Sequence, residues 1–195
     1  MIKVGGTGIF EWAKSYNVDD EIMNPTDVIQ ADNGDIVVLS SNYYMFRTGI
    51  GGSLKWCKKY QINPLQQAKH LVESNDGNLV ILGSTSHFFG GGNASMNLIL
   101  TKMTSSGTPL WTKGYGGFND DEGEKIYELP NGGLMMAGST SSFTSNGLFR
   151  SYLIKAEASG FAGCNEISLT TSESSVNMVH INENIIEIPF TATIT

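Results

Sequence analysis

His70, His87 and His180 are the side chains best suited to metal binding or proton transfer, and their spacing serves neither. They fall at unrelated positions of the pattern described below and read as exposed strand or loop residues. Cys57 and Cys164 are the only thiols; a pair cannot build a disulfide framework, and both read as small apolar residues on separate outer strands. The densest acidic run is Asn119-Asp120-Asp121-Glu122-Gly123-Glu124. Asp120, Asp121 and Glu122 would offer oxygens to a hard cation such as Ca²⁺, which takes six to eight of them. The run lacks the alternating acidic pattern of a dedicated calcium loop, so a solvated connection between strands is expected, with no metal and no cofactor. The glycine pairs and triplets at Gly5-Gly6, Gly51-Gly52 and Gly90-Gly91-Gly92 open no helix and precede no Lys-Ser/Thr, so they read as turns rather than phosphate cradles. No Ser/His/Asp constellation is recognisable, and no catalytic residue is assigned.

Binding chemistry is better represented. Phe88, Phe89 and Asn93 sit in one long glycine-rich segment, and Phe143 and Asn146 in a serine-rich one. Rigid aromatic anchors among adaptable polar neighbours suit a carbohydrate or protein surface. The competing reading has the same rings anchoring their own loops on the strand edges.

The chain that carries these residues has 195 of them, 40% apolar and 16% charged, with a net charge of −7. That is enough apolar material for a core and too little charge for a disordered chain. Two arginines, Arg47 and Arg150, leave no electrostatic footprint for nucleic acid. No apolar run is long enough for a membrane span, and no basic-then-apolar leader opens the chain.

An internal repeat organises it. Trp12-Lys14-Tyr16, Trp56-Lys58-Tyr60 and Trp111-Lys113-Tyr115 share the pattern Trp-x-Lys-x-Tyr. Gly8, Gly52 and Gly107 each precede the tryptophan by four residues, and Lys3, Arg47 and Lys102 by nine. Downstream, turns at Asn33-Gly34, Asp76-Gly77 and Asn131-Gly132 lead into the apolar runs 36–39, 79–82 and 134–137. A degenerate fourth copy can be traced from Lys155 and Gly160, with Cys164 in place of tryptophan and residues 176–181 in place of the first strand.

The tryptophans stand 44 and 55 residues apart, with no helical period between them. Short Val-, Ile-, Leu- and Thr-rich segments bounded by turn residues read as strands; in the second copy they fall near 68–73, 78–83, 97–103 and 109–115. Four strands in a unit of this length make one blade of a β-propeller. The three side chains of Trp-x-Lys-x-Tyr share one strand face, so the rings can cover the adjacent blade with the lysine stem between them. An aromatic sugar platform is the alternative use of the same face.

The string basic-x4-Gly-x3-Trp resembles the tryptophan-docking motif of quinoprotein-like propellers. Residues 100–143 as a whole look like the tandem propeller repeats of secreted and surface-attached bacterial proteins. The resemblance implies an all-β small propeller and an extracellular or cell-surface setting; it implies no chemistry, because propellers host many functions. A sialidase-type site needs an arginine cluster that two arginines cannot form, and a quinone-dependent site needs calcium and cationic cofactor contacts. The expected organisation is one domain over 1–195, with repeats at about 17–60, 61–115 and 116–168 and a composite blade from 169–195 plus 1–16. About four blades would close in this way; a larger ring shared by a homodimer, or a piece of a longer array, are the alternatives. A non-catalytic binding or adhesion module is the expected function, and a structural spacer or assembly subunit the second.

Overall fold

The computed structural model describes residues 1–18, 21–62, 66–86 and 95–183, and among them the chain is all-β, without a helix. An N-terminal hairpin pairs β1 (Ile2–Val4) with β2 (Phe10–Val18). Two antiparallel four-stranded meanders follow. The first unit is β3 (Pro25–Gln30), β4 (Ile36–Ser40), β5 (Tyr44–Thr48) and β6 (Leu54–Gln61). The second is β7 (Gln66–Glu73), β8 (Leu79–Ser86), β9 (Met96–Met103) and β10 (Pro109–Tyr115), the four strands expected from the sequence. The third unit, β11 (Asp121–Glu128), β12 (Leu134–Thr140) and β13 (Arg150–Ala156), has no outer strand among the described residues.

Burial explains the sequence of each strand. β4, β5, β8 and β9 lie between neighbouring sheets and are covered on both faces, so apolar residues follow one another in them, as in Val37-Val38-Leu39, Leu79-Val80-Ile81-Leu82 and Leu98-Ile99-Leu100. One cluster, including Val37, Leu39, Met45, Leu79, Ile81 and Ile99, joins the first unit to the second. Another, including Val80, Leu82, Leu100, Met136 and Ile154, joins the second to the third. Each such Leu or Ile stabilises the stack by about 1.5–3 kcal/mol relative to exposure.

The Trp-x-Lys-x-Tyr face is the joint between units. The Tyr16 hydroxyl donates to Gly52 O at 2.8 Å, and the Tyr60 hydroxyl to Gly107 O at 2.8 Å. The Tyr115 hydroxyl makes the same bond to Gly160 O. A Cβ on Gly107 would stand 2.5 Å from Tyr60 Oη and 3.2 Å from both Lys58 Cδ and Trp56 Cη2, and φ there is +79°. The repeated glycine therefore receives the aromatic–lysine–aromatic face of the preceding unit at close range, in a backbone conformation that favours glycine.

The C-terminal segment departs from expectation. After β13 the chain starts the usual hairpin, Glu157 N–H donating to Phe161 O at 2.9 Å. It then turns away through two residues with positive φ, Gly163 (82°) and Asn165 (53°). Cys164, expected on an outer strand, is exposed in this turn, whereas Cys57 is buried on β6; both are free. The remaining strands run back along the outer edges of the earlier sheets. β14 (Glu166–Leu169) pairs with β10, β15 (Ser172–Ser175) with β6, and β16 (Met178–Asn182) with β2. Glu166, Glu173 and His180, seven residues apart, lie opposite Tyr115, Tyr60 and Tyr16 in turn. Glu166 bonds Lys113 at 3.2 Å and Glu173 bonds Lys58 at 3.1 Å, so the strap engages the lysines of the repeated motif.

The N- and C-terminal strands thus do share a sheet, but β16 lies on the outer edge of β2 rather than in the place of a first strand, and β14 and β15 belong to other sheets. The described strands form four antiparallel sheets of three, five, three and five strands. Among the described residues no hydrogen bond, ion pair or buried cluster joins the third unit to the N-terminal hairpin, and no ring is closed.

Candidate functional site

The loops at one end of the second and third units converge on Asp121. This carboxylate, expected in a solvated loop, opens β11 and is 0% exposed. The reason is its donor set. Oδ2 accepts Gly117 N–H at 2.7 Å, the Ser142 hydroxyl at 2.7 Å and Asn97 Nδ2 at 3.3 Å, while Oδ1 accepts the Thr140 hydroxyl. Four donors offset the desolvation of a charge that would otherwise cost several kcal/mol. The bonds tie the 116–120 loop to the 141–149 loop, a link reinforced by Asn119 N–H donating to Ser142 Oγ at 3.0 Å.

Aromatic side chains stand on these tied loops. Phe118 is 73% exposed, and Phe143, Leu148 and Phe149 are each half exposed. Phe143 tilts against Tyr152 of β13, with ring centroids 5.7 Å apart at 55°. Burial pushes the Tyr152 phenol up to about 12, with the Asp121 charge adding to it, so it remains a neutral ring support.

Of the residues singled out from the sequence, Phe143 lies on this surface. Asn146 is exposed but its side-chain oxygen accepts Leu148 N–H at 3.3 Å, a local turn bond. Phe88, Phe89 and Asn93 lie outside the described residues. Of the described residues to either side of them, Met96 N–H donates to Asp120 Oδ1 at 2.8 Å and Ser84 Oγ accepts Gly123 N–H at 3.3 Å. Asp120, Asp121 and Glu122 do not converge: Asp120 bonds Met96, Asp121 bonds its four donors, and Glu122 lies along β11. Among the described residues no three His, Cys, Asp or Glu side chains are grouped to hold a metal. Phe118 and Phe149 were not singled out, and Asp121 was read as a cation ligand or solvated acid rather than a buried acceptor; the signal for Phe118 was its place directly after Gly116-Gly117.

His70, expected to be exposed, is partly covered on β7, with Nδ1 accepting Ile126 N–H at 3.4 Å and Nε2 3.7 Å from Asp27. Burial pushes the Cys57 thiol up to about 11, which keeps it from acting as a nucleophile near neutral pH. Asp35 is buried beside Arg47 Nε at 2.7 Å and Lys55 Nζ at 2.6 Å. Burial works to raise its carboxyl, but hydrogen bonds from Lys55, Arg47 and Asn33 outweigh it and hold the carboxyl at about 2. A depressed folded-state value contributes stability above the unfolded value of about 3.9 and loses it as pH falls toward 2. Melting temperature should therefore drop between pH 4 and 2 in the native chain, and Asp35→Asn should flatten that drop. An equal slope in both would remove Asp35 from the acid response.

No family model matches the chain, and no curated protein is significantly similar to it. No helix of the described residues is long and apolar enough to cross a membrane.

Proposed function

We propose that the chain is a non-catalytic binding module of propeller type, acting at the bacterial cell surface or outside the cell, whose ligand is a glycan or a protein. The observation that carries this reading is the set of exposed aromatic rings, Phe118 and Phe143 foremost, on loops pinned from beneath by a buried carboxylate. A ring held in place before binding loses little conformational freedom on contact, so its apolar area is available for affinity. Phe143, set against Tyr152, offers a ring face suited to stacking on a sugar or insertion into a shallow protein pocket. The propeller reading and the surface setting rest on the repeat and its resemblance to tryptophan-docking propellers. The open faces at the two ends of the stack favour a second reading, an assembly subunit without a small ligand.

A glycan array probed with the labelled native chain and with Phe118→Ala and Phe143→Ala tests the binding reading. Loss of one central aromatic anchor is expected to weaken binding ~30-fold or more, while the exposed ring's removal shifts stability by less than about 0.5 kcal/mol for Phe118. Undiminished binding by the double variant, or no binding by the native chain to glycans or to surface-protein fractions, would sink the loop reading.

A further inference from the structure

The two ends of the stack carry the unburied halves of an interface that the chain builds in its interior. Between the second and third units, Val72, Val80 and Leu100 pack in one cluster with Ile154 and Ala156. Tyr127, Met135 and Leu153 occupy the first set of positions in the third unit. Tyr127 lies opposite Met135 as Val72 lies opposite Val80, and Leu153 precedes Lys155 by two residues as Leu100 precedes Lys102. Yet Tyr127 is 65% and Leu153 72% exposed, whereas Val80 and Leu100 are fully buried. At the opposite end Ile2 and Val4 flank Lys3 as Ile154 and Ala156 flank Lys155, and they are 62% and 55% exposed. Val179 and Ile181 of the strap extend that face, since Ile181 lies opposite Ser15 and Ile2 opposite Ala13.

We infer that the β11–β13 face of one chain docks the β1–β2–β16 face of a second copy, head to tail, through Tyr127, Met135 and Leu153 against Ile2 and Val4. The polar groups at the joint agree. Asp32 N–H and Asn75 N–H each donate at 2.7 Å to a glutamate on the first strand of the following unit, Glu73 and Glu128. The third unit has Pro130 at that position, with no N–H to satisfy, and among the described residues no strand pairs the free edge of β1 to bring a glutamate. Arg47 Nη1 reaches across its joint to Ser105 O at 3.0 Å. Lys155 stands where Arg47 does, beside an open groove of about 740 Å³ bounded by Asn131 and Phe161, and the partner's Gly6 holds the place of Ser105. Because the two halves are different surfaces, the contact is heterologous and yields a closed ring of copies or a growing chain of them. This inference deepens the assembly reading and does not depend on the Phe118 loops.

Sedimentation over a dilution series, with Leu153→Asp and Ile2→Asp beside the native chain, tests it. The native chain should associate reversibly, and each substitution should weaken association ~100-fold or more by placing a charge in the apolar joint. Both residues are exposed in the single chain, so melting of the dilute variants should match the native; Leu153→Ser and Ile2→Ser repeat the comparison if either aspartate variant melts early. Each variant keeps one native face, so an equimolar mixture of the two should form a dimer and nothing larger. A native chain that is monomeric throughout, association unaffected by either substitution, or a mixture that stays monomeric would each overturn the proposal. Phe118→Ala should associate as the native chain does, which separates failure here from failure of ligand binding by the loops.

Discussion

Gly107→Ala is expected to melt about 10 °C below the native chain, and Gly77→Ala only about 3 °C below it. Both glycines have positive φ, +79° and +74°, so an added methyl group meets similar backbone strain of about 1 kcal/mol in each. What differs is the surrounding space. Nothing lies within 4 Å of a Cβ on Gly77, whereas one on Gly107 meets the Tyr60 hydroxyl, Trp56 and Lys58. Relieving that contact means moving two rings of the joint and lengthening the Tyr60 bond to Gly107 O, a further cost of about 2–3 kcal/mol. Tyr60→Phe supplies the coupling measurement. Removing the hydroxyl costs about 1 kcal/mol alone, but the double variant should fall short of the summed losses by a similar amount, because the nearest clashing atom is gone. Equal melting of Gly77→Ala and Gly107→Ala would mean that the glycine serves its turn and not the joint.

Asp121→Ala should cost about 3–4 kcal/mol, the range for removing one member of a buried charged network. It leaves Gly117 N–H, Asn97 Nδ2 and the hydroxyls of Thr140 and Ser142 without their shared acceptor. Asp121→Asn keeps one acceptor oxygen, and the two hydroxyls can rotate to accept from its amide, so a loss of about 1–2 kcal/mol is expected. Hydrogen exchange gives a second readout: the amides of Gly117 and Asn119 should lose protection before those of β8 and β9, because the loops part first. Native-like melting of Asp121→Ala, with unchanged exchange, would show that the loops hold their shape without the carboxylate.

Much of the architecture was legible because each repeated residue does a repeated physical task. The Gly-x3-Trp spacing marks a turn that receives the preceding unit, and the double-sided burial of β8 shows as an unbroken run from Leu79 to Leu82. The strap was not legible in this way. Residues 176–181 hold a place in the tandem pattern that suits a first strand, and pattern alone does not say which edge a strand joins. The recurrence that does carry the answer, Glu166, Glu173 and His180, has a period of seven and belongs to the distance between neighbouring sheets. The binding surface was half legible. Phe143 stood out in its serine-rich setting, but Asp121 looked like one of several solvated acids. Its burial depends on Thr140 and Ser142, which come from a different strand and loop.

The strap also fixes an order of events as the chain is made. Each hairpin of the first two units closes over neighbours in sequence, so the stack can assemble as it leaves the ribosome, N-terminal units first. The strap's bonds instead join residues 53 apart at Lys113–Glu166 and 115 apart at Lys58–Glu173. Until residues 166–182 emerge, the outer edges of β2, β6 and β10 are bare templates for any passing strand. The strap, made after the three units whose edges it covers, is therefore the latch that converts a sticky intermediate into a protected one.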